Sequence, residues 1–162
     1  MRTLYNSFIY PYFTYCIEVW GNICSTHLDP LVKIQKRAIR TIVGAKKFEH
    51  TKPIFKKLKL LNLNEIYVYF VQLLMFKYHH SILPTVLNTL FLSNMSVHGH
   101  YTRQQNLLHV PISSPIMSKT VRVTGVAIYN HFASLLSMDM TYDSYKYNLK
   151  VFIREHGIDD IL

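Results

Sequence analysis

The chain has 162 residues, a length that gives one domain or two small subdomains sharing a core. Apolar residues make up 49% of it and aromatic residues 14%, which excludes a disordered tail. A formal charge of +9 favours polyanionic partners, and no stretch reaches the roughly eighteen apolar residues of a membrane-spanning helix.

Residues 2–20 carry apolar or aromatic side chains nearly all round (Leu4, Tyr5, Phe8, Ile9, Tyr12, Phe13, Tyr15, Cys16, Ile17, Val19, Trp20). This predicts a buried helix, kinked or broken at Pro11 and ending at Gly21. Arg2 precedes an apolar segment, but Pro11, several tyrosines and Glu18 spoil it as a signal peptide. Cys16 and Cys24 match no zinc or disulfide framework and read as reduced, structural thiols of an intracellular protein.

A helix over 29–43 follows, with Asp29 as N-cap, Pro30 at its first position and Gly44 as its stop. Lys33, Lys36, Arg37 and Arg40 fall at i, i+3, i+4 and i+7, so all four charges share one face. Leu31, Ile34, Ala38 and Ile42 occupy another and are expected to point into the core. Between Lys33 and Lys59 stand ten of the eighteen Lys and Arg residues against one acid, Glu49. A merely solvated face would mix Glu among the lysines as i,i+4 partners, and here none are mixed in. A one-signed stripe on a seated helix suits a protein that holds a phosphate backbone. Lys46 and Lys47 extend the field.

Thr51 can cap a short helix through Lys57, and Asn62 or Asn64 a longer one to about His80, with Tyr67 to Phe76 as a buried core segment. Leu83-Pro84 ends it, and a brief helix is predicted from Pro84 to Phe91. Ser93 to Ser118 has no helical period and reads as an irregular excursion containing a strand at Leu107–Val110. Thr120-Val-Arg-Val-Thr alternates and is β-branched, so a strand is expected there, followed by helices at Val126–Leu136 and from Asp143 or Ser144 to about Glu155. The expected fold is mainly α, a small helical bundle with a minor β element around 107–124. The expected subdomains are 1–92, carrying the basic helix, and 93–162.

Chemistry-bearing motifs are few. His98-x-His100 and His79-His80 lack the i,i+4 pair with a nearby acid that a zinc hydrolase needs. The sequence has no G-x-S-x-G, P-loop or G-x-G-x-x-G pattern. Its adjacent acids, Asp159-Asp160, sit near the C-terminus without the rigid shell that a two-cation site requires. No catalytic residue, metal, cofactor or small-molecule substrate is expected.

The serial order of motifs is informative beyond composition. Leu4-Tyr5-x-Ser7-x-Ile9-x-Pro11-x-x-x-Tyr15-x-x-x-Val19-Trp20-Gly21 opens the chain, and Leu31-x-x-Ile34-Gln35-Lys36-Arg37-Ala38-Ile39-Arg40 follows. Next come His50-Thr51-x-Pro53-Ile54-Phe55-x-x-Leu58, Phe76-Lys77-Tyr78-His79 with Leu83-Pro84, and His98-x-x-Tyr101-Thr102-Arg103. This series resembles the segment C-terminal to the reverse-transcriptase palm in jockey-like non-LTR (LINE-type) retrotransposons. The family commonly shows Gly-x-x-x-Trp-Asn where this chain has Gly125 and then Tyr129-Asn130, one aromatic exchanged for another. The resemblance implies a thumb and connector that grip template–primer duplex, DNA or RNA–DNA, through its backbone. It implies phosphate contacts for Lys36, Arg37 and Arg40; Lys33 joins them by helical spacing, Lys46 and Lys47 extend the field without unique contacts, and Arg103 either touches nucleic acid or bridges the two subdomains. It also places the family's Tyr-x-Asp-Asp turn and upstream metal-binding Asp in fingers and palm, outside these residues. The chain is therefore expected to be a non-catalytic fragment, in cytoplasm or nucleus, with a separate palm and fingers polypeptide as a conceivable partner. An adaptor for an acidic protein, an inert translated remnant and an enzyme completed in trans remain open alternatives.

Overall fold

Apolar side chains cover nearly the whole circumference of the helix between Leu63 and His79, so it has to be surrounded by other elements. The computed structural model describes residues 2–98 and 103–158, which are mainly helical. In chain order the helices are α1 (Arg2–Phe8), α2 (Tyr10–Thr14), α3 (Ile17–Trp20), α4 (Ser25–Val43), α5 (Lys52–Leu58), α6 (Leu63–His79), α7 (Thr85–Asn88), α8 (Asn94–Val97), α9 (Val121–Ala133) and α10 (Tyr142–His156). Two compact units divide the chain: the described part of Met1–Phe70 with Val151–Ile158, and the described part of Val71–Lys150. The boundary expected after residue 92 falls inside the second unit, because the cut lies within α6.

In the first unit Tyr5, Ile39, Ile54, Phe55 and Leu60 form a buried cluster, with Ile9, Tyr10, Ile42, Val43 and Leu58 packed against it. The N-terminal segment is three short helices rather than one buried one. Pro11, which has no N–H to continue α1, begins α2 instead, and Cys16 turns left-handed at φ 50° to begin α3. Trp20 spans that second break, its Nε1 donating to the Tyr15 carbonyl at 2.7 Å. As a result Tyr5, Phe13 and Ile17 are buried, whereas Leu4, Phe8, Tyr12, Tyr15 and Val19 face solvent. Gly21 ends α3 against the Tyr67 ring, and a Cβ there would stand 2.4 Å from it. Gly44 closes α4 in the left-handed region at φ 73°.

The expected start of α4 is also corrected. Cys24 is the N-cap residue, and its carbonyl accepts from the His27 and Leu28 N–H groups at 3.0 and 3.3 Å. Pro30 lies inside the helix, where it forgoes one backbone hydrogen bond. Thr51 precedes α5 without a side-chain cap bond. Asn62 does cap α6 by a reciprocal box: its Oδ1 accepts from the Glu65 N–H at 3.0 Å, and its own N–H donates to Glu65 Oε2 at 2.8 Å.

In the second unit the lower part of α6 packs on α9 and α10. The Gln72 amide donates to the Tyr145 hydroxyl at 2.6 Å, and Phe76 stacks on the Tyr145 ring at 4.3 Å between centroids. Among the described residues the expected minor β element around 107–124 does not form a strand. Residues 120–124, predicted as a strand, enter α9: the Thr120 carbonyl accepts from the N–H groups of Val123 and Thr124 and from the Thr124 hydroxyl, each at 3.0 Å. Gly125, Ile128, Tyr129 and Phe132 are buried at helical spacing, and that tertiary burial outweighs the local β preference of Val121 and Val123. Around Leu107–Val110 the described residues form a single antiparallel bridge, Ser93 to Leu108, in place of a strand. The Asn130 side chain occupies the other edge. Its Oδ1 accepts from the Leu108 N–H at 2.9 Å and its Nδ2 donates to the Leu108 carbonyl at 2.8 Å, so no second strand is needed to satisfy that backbone. The brief helix expected from Pro84 to Phe91 is the shorter α7.

Candidate nucleic-acid interface

The basic face of α4 begins with what holds the helix down. Gln35 and Ile39 are fully buried, and Leu31, Val32, Ala38, Ile42 and Val43 flank them half-buried. Ile34, predicted to be inward, is 56% exposed, and the glutamine beside it points in instead. Gln35 Nε2 donates to the Tyr5 hydroxyl at 2.8 Å and to the Leu61 carbonyl at 3.2 Å, which offsets the burial of the nitrogen, while its Oε1 is buried with no hydrogen-bond partner among the described residues. The inward stripe is thus rotated by about one residue from the expected one.

With Gln35 and Ile39 inside, helical geometry places Lys33, Lys36, Arg37 and Arg40 together on the outer side. Lys33, Lys36 and Arg37 are exposed. Arg40 is half-buried and already engaged: its Nε donates to the Glu49 carbonyl at 2.9 Å. That bond folds the turn after Gly44 back onto the last turn of the helix. The Glu49 carboxylate is directed at the Lys46 backbone N–H, 3.2 Å away, and the Glu49 N–H donates to the Lys46 carbonyl at 3.1 Å. Lys46 and Lys47 are exposed on this turn, and the Lys47 ammonium lies 5.6 Å from the centre of the Phe48 ring.

The structure therefore brings Lys33, Lys36, Arg37, Arg40, Lys46 and Lys47 into one unit. Arg103 is exposed on a turn of the other. Sequence reasoning missed two features of this region, the anchoring role of Arg40 and the display of Phe48. The Lys46-Lys47-Phe48-Glu49 run, an apolar ring among charges just past a helix stop, was the available signal.

Among the described residues no group of three or more His, Cys, Asp and Glu side chains could hold a metal ion. His98 and His109 meet ring to ring at 5.5 Å, and His79 Nδ1 shares a hydrogen bond with the Tyr129 hydroxyl at 2.8 Å. Gly99, His100, Tyr101, Thr102, Asp159 and Asp160 lie outside the described residues. Cys16 and Cys24, read from the sequence as reduced thiols, form no disulfide and are both exposed. No helix among the described residues is long and apolar enough to cross a membrane.

The fold and the site together define a mainly helical chain that presents one basic helix. No protein-family model, curated protein or solved structure matches it.

Proposed function

We propose that this chain is a non-catalytic, sequence-independent nucleic-acid-binding module that grips duplex through its backbone phosphates. The observation that carries the reading is the cation-rich face of α4, with Lys33, Lys36 and Arg37 exposed away from the buried Gln35 and Ile39 and Asp29 as the one acid of the helix. A helix held by its inward side, whose outward side carries three exposed cations against a single exposed acid, Asp29, one turn before Lys33, meets polyanions without rearranging. The resemblance to the thumb region of non-LTR retrotransposon reverse transcriptases supports the same partner, template–primer duplex, and a place inside the cell, where such duplexes occur. Arg40 contributes charge while its Nε secures the turn, and Lys46 and Lys47 extend the field.

The test is salt-titrated binding to two unrelated duplexes. Replacing Lys33, Lys36 and Arg37 together with Gln keeps helix propensity, because Gln ranks near Lys and Arg. Each phosphate contact contributes about 0.9 to the slope of log K against log salt, so the triple variant should lose roughly 2 to 3 of that slope. Both duplexes should weaken alike, since phosphate contacts carry no base information. An unchanged slope in a folded variant overturns the proposal and leaves the adaptor for an acidic protein.

A further inference from the structure

Phe48 is the most exposed aromatic ring described in the first unit, with 87% of its surface open to solvent. A single apolar side chain at the surface is ordinary. The setting of this one is not, because a phenylalanine has no polar tip to gain from exposure and its turn is held from both ends. The Arg40 guanidinium grips the Glu49 carbonyl at 2.9 Å, and the Lys46 and Glu49 backbones are cross-tied by the Glu49 carboxylate at 3.2 Å and the Lys46 carbonyl at 3.1 Å. The ring is therefore displayed on an ordered turn, with the Lys47 ammonium 5.6 Å from its centre. A flat π-face set among cations calls for a ligand that has both negative charge and a flat ring. A nucleotide whose base is unpaired has both, with its phosphate for the lysines and its base for the ring. A base inside a duplex has its faces already covered by its neighbours.

We propose that Phe48 is a stacking platform for one unpaired nucleobase, so that the module prefers duplex ending in a single-stranded overhang to blunt duplex. The inference rests on the phosphate-binding reading of α4. An aromatic tip among lysines would also suit an anionic membrane surface. The nucleic-acid reading is favoured because the same turn is tied to Arg40, on the helix whose exposed cations continue the field.

The experiment compares three DNA probes of equal duplex length by fluorescence anisotropy: blunt, with a short overhang, and with an overhang of abasic residues carrying the same phosphates. The wild-type chain should bind the base-bearing overhang roughly 5- to 150-fold more tightly than the abasic one, the range expected for stacking one base on an aromatic ring. Phe48→Ala should abolish that preference and leave blunt-duplex binding as it was, and Phe48→Trp should restore it. Far-UV circular dichroism establishes that both variants fold. Equal binding of abasic and base-bearing overhangs by the wild type, with salt-dependent duplex binding intact, overturns the platform and spares the α4 reading. Loss of salt-dependent binding to every probe overturns both. If Phe48→Ala leaves the overhang preference intact but removes binding to phosphatidylserine-containing vesicles, the ring serves a membrane surface and the proposal fails.

Discussion

Gln35 and Tyr5, thirty residues apart in the chain, meet in the core at 2.8 Å, the amide nitrogen donating to the phenol oxygen. The same nitrogen reaches the Leu61 carbonyl at 3.2 Å. A carbonyl can only accept, so the Leu61 contact fixes which end of the amide faces that way. One polar side chain of α4 thereby ties together α1, α4 and the approach to α6, and it sets the rotation that turns Lys33, Lys36 and Arg37 outward.

That relationship predicts an asymmetric mutational cycle. Tyr5→Phe should cost about 1 kcal/mol, the usual net worth of one hydrogen bond, because Gln35 keeps its Leu61 partner. Gln35→Leu should cost more, since it strands both the Tyr5 hydroxyl and the Leu61 carbonyl. Combining the two should cost less than the sum, with a coupling of about 0.5–1.5 kcal/mol. Urea unfolding of the three variants measures it, and strict additivity would contradict the geometry.

A second expectation concerns alkaline pH. Burial pushes the Tyr145 phenol up from 10.0 to about 12, the hydrogen bond from Gln72 partly opposing it. Tyr10 is pushed to about 12 as well, by burial first and then by neighbouring Tyr5, with Arg154 opposing. In both cases the folded chain holds its proton more tightly than the unfolded chain does. Stability is therefore intact below pH 10 and drains away as pH rises from 10 through about 12. Each group accounts for on the order of 2–3 kcal/mol by the top of that window. Melting temperature against pH, followed with tyrosinate absorbance, should show ionisation and unfolding together. Tyr145→Phe should shallow the alkaline slope.

Arg40 and its neighbours on the basic face should separate by what they touch. Arg40→Gln removes the donor to the Glu49 carbonyl and should cost about 0.5–1 kcal/mol of stability, an exposed bond counting less than a buried one. Lys36→Gln and Arg37→Gln should each stay within about 0.5 kcal/mol of the wild type. Denaturant midpoints decide this, and equal costs for all three would argue against the anchor.

Much of the helical order was legible because α4, α6 and α10 carry long apolar periods and end in recognisable stops, Gly44 being the clearest. The inward stripe of α4 was misplaced by one position because a glutamine looks like surface until its partners, thirty and twenty-six residues away, are known. The strand expected at 120–124 failed for a related reason. Val121 and Val123 favour an extended chain locally, and nothing nearby announces that Gly125 is buried where an added Cβ would stand 3.3 Å from the Met75 sulfur and 3.6 Å from Val71. Asn130 was visible only as part of a motif, and its clamp on Leu108 needs the fold to be seen. On the basic face, spacing alone grouped the charges. It could not tell that Arg40 spends part of its guanidinium on the backbone.

Gly21 and Gly44 leave different marks on a lineage. At Gly21 any side chain collides with Tyr67 and the Ile17 carbonyl, whereas at Gly44 nothing lies within 4 Å and the restriction is the left-handed backbone alone, which Asn tolerates. Copies kept by selection for folding would retain Gly21 and admit Asn at Gly44. Copies drifting without purpose would lose both at the same pace, so the ratio of changes at these two positions records whether the protein has been of use to its bearers.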